Sequence, residues 1–108
     1  MSTAEPIQNY SLEEHEKRLQ KNPVLLYMKG TPKEPLCGFS RLAVRILQQC
    51  GASFTPVDVL NPDIRFALKQ ISQWPTFPQL YIHGKFIGGS DIIADLYRQG
   101  TLQKKLAE

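Results

Sequence analysis

The sequence predicts an α/β domain: a four-stranded mixed sheet flanked by helices. Three observations predict it. The apolar run Val24–Met28, a helical stripe after it and the strand-like run Ser53–Val59 form a βαβ unit. Such a unit sets two strands parallel through a right-handed crossover. Later, Phe77–Ile82 and Lys85–Gly88 flank the turn pair His83-Gly84, which reads as strand, tight turn, strand. Finally, helical patterns alternate with the strands often enough to cover both faces of the sheet. The 108 residues suffice for a single domain, 1–108, with one modest core.

The elements follow in order. Ser11-Leu12-Glu13-Glu14 is a capping box. It opens a helix to about Gln20, with Leu12 and Leu19 on the inner face and His15 on the solvated one; Asn22-Pro23 stops it. Val24–Met28 is too short for a helix and reads as a strand buried on both faces. Gly30, Pro32 and Pro35 make Lys29–Leu36 a loop. A second helix spans Gly38 to about Cys50. Its inner stripe is Phe39, Ala43, Ile46, Leu47 and Cys50, and Gly51 ends it. Pro56 places Ser53–Val59 at a sheet edge. Asn61 caps a third helix, Pro62 to about Ile71. Ser90 or Asp91 caps a fourth, carrying Ile92, Ile93, Leu96 and Tyr97. Gly100 ends it, and Thr101–Leu106 adds a last short turn.

Composition excludes several classes. The net charge is +3, from 13 basic and 10 acidic residues, and only Lys104-Lys105 is a basic doublet. Nothing interleaves aromatics with cations, so nucleic acid is not an expected partner. No apolar run approaches the ~20 residues of a membrane span. Met1–Pro6 has neither a basic start nor an apolar stretch, so no export signal is expected. With two cysteines, the expected compartment is a reducing cytoplasm. Cys37 and Cys50 lie 13 positions apart. One helix between them separates them by roughly 20 Å, far beyond the reach of a disulfide. Cys50 reads as a small buried apolar residue, and His15 and His83 carry no metal signal.

Cys37 is the chemical focus. It stands at a helix start, where unpaired N–H groups and the helix dipole favour thiolate over thiol. In a C-x-x-C pair the second sulfur would sit at position 40, which is serine. Any second sulfur must therefore come from elsewhere. Lys29, upstream, is placed to lower the thiol pKa further.

Four motifs stand in order: Lys29-Gly30-Thr31-Pro32, Cys37-Gly38-Phe39-Ser40, Trp74-Pro75-Thr76-Phe77-Pro78-Gln79 and Gly88-Gly89-Ser90-Asp91. Together they resemble the monothiol glutaredoxins, the CGFS class, in its bacterial single-domain form. The resemblance covers about Ser11 to Leu106 and implies a thioredoxin-like fold. One departure is Ser90, where many members carry a cysteine.

The resemblance implies that Lys29, Gly38, Phe39, Arg65, Phe77, Ser90 and Asp91 bind glutathione. Lys29 and Arg65 would meet its glycyl carboxylate. A cis Phe77–Pro78 bond would offer the Phe77 backbone as a strand edge does. The N–H groups opening the fourth helix would take the γ-glutamyl carboxylate, and Asp91 the ammonium. Cys37 would be both the catalytic thiol and an iron ligand. An ordinary [2Fe-2S] cluster takes four thiolates, so two chains and two glutathiones would share one cluster. The resemblance further implies a cluster-bridged homodimer, a heterodimer with a BolA-like protein and iron–sulfur apo-protein recipients. A second reading is an oxidoreductase that removes glutathione from mixed disulfides with Cys37 alone. A third is a module that only docks partners.

Overall fold

The computed structural model describes residues 10–108. The reading of Met1–Pro6 falls outside them. The order is α1 (Leu12–Lys21), β1 (Val24–Met28), α2 (Gly38–Gln49), β2 (Thr55–Asp58), α3 (Pro62–Ser72), β3 (Gln79–Ile82), β4 (Lys85–Gly88), α4 (Ser90–Gln99) and α5 (Thr101–Ala107). The strands form one mixed sheet in the order β2-β1-β3-β4. β2 runs parallel to β1, with Leu25 opposite Thr55 and Tyr27 opposite Val57. β3 is antiparallel to both β1 and β4. Pro56 therefore sits on an edge strand, where its missing N–H leaves no central ladder incomplete.

All five residues of β1 are buried, and their alternation divides the core. Val24, Leu26 and Met28 face one side, with Ala43, Val44 and Leu47 of α2, Ile93 of α4 and Leu102 of α5. Leu25 and Tyr27 face the other, with Val57, Ile64, Leu68, Phe77 and Tyr81. Each fully buried leucine contributes about 2 kcal/mol through the area it removes from water. A central strand covered on both sides needs no polar residue, which explains the unbroken apolar run.

Local chemistry sets the helix ends. Ser11 accepts the Glu14 N–H and Asn61 accepts the Asp63 N–H. Gly100, with φ 78°, closes α4 in the left-handed region that suits glycine. β3 begins at Gln79, two residues later than the sequence pattern suggests, because Pro78 has no N–H for a ladder. β2 is likewise shorter than Ser53–Val59.

Four sequence expectations are corrected. His15 is buried, at 2% exposure, and not on a solvated face; its Nδ1 lies 2.8 Å from the Tyr27 hydroxyl. That bond satisfies a polar ring inside an aromatic layer. Leu12, by contrast, is 53% exposed: it shares the His15 stripe but is the first residue of α1. Phe39 is 63% exposed and stands outside the α2 core stripe. The cap of α4 is Gly89, so Ser90 and Asp91 lie within the helix. Both cysteines are free; Cys50 is half-buried against the α2 side of the core, which pushes its thiol pKa up.

Candidate functional site

Cys37 is the N-cap of α2, with extended backbone at φ −152° and ψ 156°. Its Sγ accepts the Ser40 backbone N–H at 3.3 Å and lies 3.4 Å from the Ser40 hydroxyl. Ser40 is fully buried, and its hydroxyl oxygen accepts the Lys29 backbone N–H at 3.0 Å. A hydroxyl has one proton to give. As a thiol, Cys37 donates its Sγ–H to that oxygen; once it ionises, the hydroxyl turns its one proton to the sulfur. Partial burial alone raises the Cys37 pKa. The Ser40 hydroxyl, the Ser40 and Phe39 N–H groups and the Lys29 charge outweigh it, so the thiol titrates below its ordinary value.

Beside the sulfur lies a groove of about 750 Å³. Lys29 reaches it from the end of β1, Arg65 and Lys69 from α3, and Ser90, Asp91 and Ile92 from the first turn of α4. The segment Trp74–Pro78 forms another wall. Lys29 follows β1 into a loop closed by three backbone hydrogen bonds: Leu36 N–H to Lys29 O at 2.9 Å, Thr31 N–H to Glu34 O at 3.2 Å and Glu34 N–H to Thr31 O at 3.0 Å. Arg65 is steadied by its Nη1, which donates to Val59 O at 3.2 Å and Leu60 O at 3.4 Å.

The Trp74–Pro78 wall is held from beneath. Gln79 is fully buried, and its Nε2 donates to Trp74 O at 3.1 Å and Thr76 O at 3.2 Å. The Phe77–Pro78 bond is cis. The Trp74 indole rests on Phe86 at 5.5 Å between ring centroids. Gly89 lets the indole come close: a Cβ there would stand 3.3 Å from Trp74 Nε1 and 3.4 Å from Pro78 O. No side chain caps α4, so its first N–H groups are left for another acceptor.

The structure thus gathers Lys29, Cys37, Phe39, Arg65, Phe77, Ser90 and Asp91 around one cavity. Gly38 is exposed and does not wall it. The sequence reading missed Lys69, which lies one helical turn beyond Arg65. Its signal was the i, i+4 spacing, which puts both cations on one helix face. Three cations and one carboxylate, Asp91, line the groove. That balance suits a small anion carrying one positive group. Among the described residues, no set of three His, Cys, Asp or Glu side chains converges to hold a metal ion. Among the same residues, no helix is long and apolar enough to cross a membrane.

Fold and site define a thioredoxin-like protein with one activated thiol at the head of the helix after its first strand. The family model for glutaredoxin matches residues 24–87. "Probable monothiol glutaredoxin GrlA" of Legionella pneumophila is 59% identical over 85 residues, covering 78% of this chain and 96% of that protein. The solution structure of reduced apo GrxS14 from poplar superposes with a TM-score of 0.78 at 45% identity, covering 88% of each chain. The buckwheat glutaredoxin–glutathione complex gives 0.81 at 25% identity, covering 97% of this chain and 94% of that one. The chain belongs to the glutaredoxin family, as a monothiol member.

Proposed function

We propose that this protein binds glutathione in the groove and carries a [2Fe-2S] cluster as cargo, handing it to apo-proteins. The observation that carries the reading is the sulfur arithmetic at Cys37. One thiolate-prone sulfur faces the groove, and its local partner position is the buried Ser40. A four-thiolate cluster then draws one further sulfur from a second chain and two from glutathione.

The groove suits that tripeptide. Lys29, Arg65 and Lys69 match a terminal carboxylate, and the uncapped start of α4 matches the second. Asp91 matches the ammonium. Glutathione is the ligand in the similar buckwheat complex. The loaded form is a homodimer bridged by the cluster. A BolA-like protein can take the place of one subunit, with a histidine as ligand. The whole chain acts as one domain, and a reducing cytoplasm suits a protein that depends on free thiols.

Anaerobic reconstitution with iron, sulfide and glutathione tests this. The expected product is a coloured dimer with visible charge-transfer bands, and Cys37→Ser stays colourless and monomeric. Equal loading without glutathione sinks the ligand count.

The lowered Cys37 pKa also favours a second reading, deglutathionylation. The Cys37 thiolate attacks the glutathionyl sulfur of a mixed disulfide and expels the protein thiolate. A second glutathione then attacks, forming glutathione disulfide and returning the Cys37 thiolate. The loop Thr31–Leu36, closed by its own backbone hydrogen bonds, runs directly into Cys37; in this reading its length misplaces the second glutathione and slows turnover. A mixed-disulfide reduction assay decides; robust turnover puts the enzyme first.

A further inference from the structure

Asp58 ends β2, and one of its carboxylate oxygens does two things at once. Oδ1 accepts the Gly30 N–H at 3.0 Å and the Leu60 N–H at 2.9 Å. Those two amides belong to the segments that carry or hold two of the groove's three cations, Lys29 and Arg65. Gly30 directly follows Lys29. Leu60 and its neighbour Val59 supply the two carbonyls that hold the Arg65 guanidinium, at 3.4 and 3.2 Å. Both segments lie just past strand ends, where the sheet ladder has stopped. One other backbone bond ties them, from Val59 N–H to Met28 O at 2.8 Å. The Asp58 oxygen is thus a shared node between the Lys29 turn and the Arg65 clamp.

We propose that Asp58 is a positioning residue that sets the spacing of Lys29 and Arg65, so that both meet a single terminal carboxylate of the bound peptide. It touches no ligand itself. The proposal rests on the reading that the groove takes glutathione. Its consequence is selective: loss of the node weakens recognition of the glycyl carboxylate and leaves the rest of the tripeptide's contacts intact.

The test titrates the full-length apo-protein with glutathione and with its glycine-amide analogue, which lacks that carboxylate. Asp58→Ala is expected to lose about tenfold in glutathione affinity, the order of one charge-assisted contact, and under about twofold for the amide. Asp58→Asn keeps an oxygen acceptor at the same place and is expected within about threefold of wild type for both ligands. Equal losses for the two ligands, or none, overturn the positioning role while glutathione binding stands. A wild type that binds neither ligand fails the glutathione reading and the proposal with it. Should Asp58→Ala not fold, amide exchange in the wild type decides. Glutathione is expected to slow exchange at Gly30 and Leu60, and the amide analogue is not. Equal or absent protection overturns the proposal.

Discussion

The Ser40 hydroxyl lies 3.4 Å from Cys37 Sγ while accepting the Lys29 backbone N–H at 3.0 Å. The residue that replaces a second thiol is therefore an active part of the site. It holds the thiolate from a fully buried position and ties it to the strand end that carries Lys29.

Ser40→Ala is expected to raise the Cys37 pKa, because the hydroxyl proton no longer stabilises the thiolate. The thiolate absorbance near 240 nm follows the titration. Alkylation at pH 7 is expected to slow by a factor of about three to ten, the worth of one hydrogen bond to a charged group. Linkage gives an independent readout. The folded pKa is depressed, so the thiolate's contribution to stability is full above the unfolded value of 9.0 and is lost as pH falls through the folded pKa. Wild type should gain stability over Cys37→Ser as pH rises toward that value, and Ser40→Ala should gain less. Identical titrations for wild type and Ser40→Ala remove the hydroxyl from the account.

Two glycines flanking the site make opposite predictions. Gly30 has φ 90°, and an added Cβ would stand 2.4 Å from Glu34 O. Left-handed backbone costs an alanine about 1–2 kcal/mol, and the overlap adds roughly 1–3. Gly30→Ala is therefore expected to destabilise the fold by about 2–5 kcal/mol in urea unfolding. At Gly38 nothing lies within 4 Å of an added Cβ, and no positive φ opposes it. Gly38→Ala is expected to be neutral or to stabilise by up to about 1 kcal/mol, and to leave glutathione binding unchanged. A binding loss at Gly38→Ala would return that residue to the site.

The sheet and the site were legible to different degrees. The run Val24–Met28 announced a central strand because burial on both faces leaves no polar position, and Pro56 announced the edge. Lys29, Cys37, Phe39, Phe77, Ser90 and Asp91 of the groove were legible through motifs in chain order, and Arg65 only through the family resemblance. Packing between elements was not. From sequence, His15 is assigned to the solvated face, although i, i+3, i+7 spacing puts it on the stripe of Leu12 and Leu19. The Tyr27 hydroxyl that satisfies it comes from another element, so its burial was visible only once α1 and β1 met. Phe39 fitted the α2 stripe by spacing, but it lies in the first turn, beyond the core and beside the groove. Lys69 and Asp58 have roles only through neighbours that the tertiary fold supplies.

The three cations should act as a cluster. Lys69→Ala is expected to weaken glutathione binding by about threefold at low salt, the scale of an exposed charge contact. The difference from wild type should shrink as salt rises, because exposed charges are screened beyond about 10 Å at 0.1 M. Lys29→Ala is expected to weaken binding and also to raise the Cys37 pKa, since its charge is among the groups that lower it. Lys69→Ala should leave the thiol titration in place. Calorimetry at two salt concentrations, with thiolate absorbance alongside, separates the two lysines. A Lys29→Ala protein with an unshifted thiol would remove its electrostatic role.

His15 supplies an acid-sensitive joint between α1 and the sheet. Its Nδ1 and the Tyr10 hydroxyl both meet the Tyr27 hydroxyl, at 2.8 and 2.6 Å, and its ring stands edge-on to Tyr81 at 4.7 Å. Burial lowers its pKa from the ordinary 6.5, because a charged ring would be stranded among tyrosines. The same burial pushes the Tyr81 hydroxyl up to about 12, so that group stays neutral alongside it. With the folded pKa below the unfolded one, the unfolded chain binds the proton first. The contribution to stability is therefore full above pH 6.5 and drains away as pH falls through the folded value. His15→Gln is expected to lose about 1–2 kcal/mol at pH 7.5, the cost of disturbing a buried hydrogen bond. It should also lose less than wild type on moving to pH 5. Urea unfolding at the two pH values measures both terms. Parallel losses in the two proteins would place the acid sensitivity elsewhere.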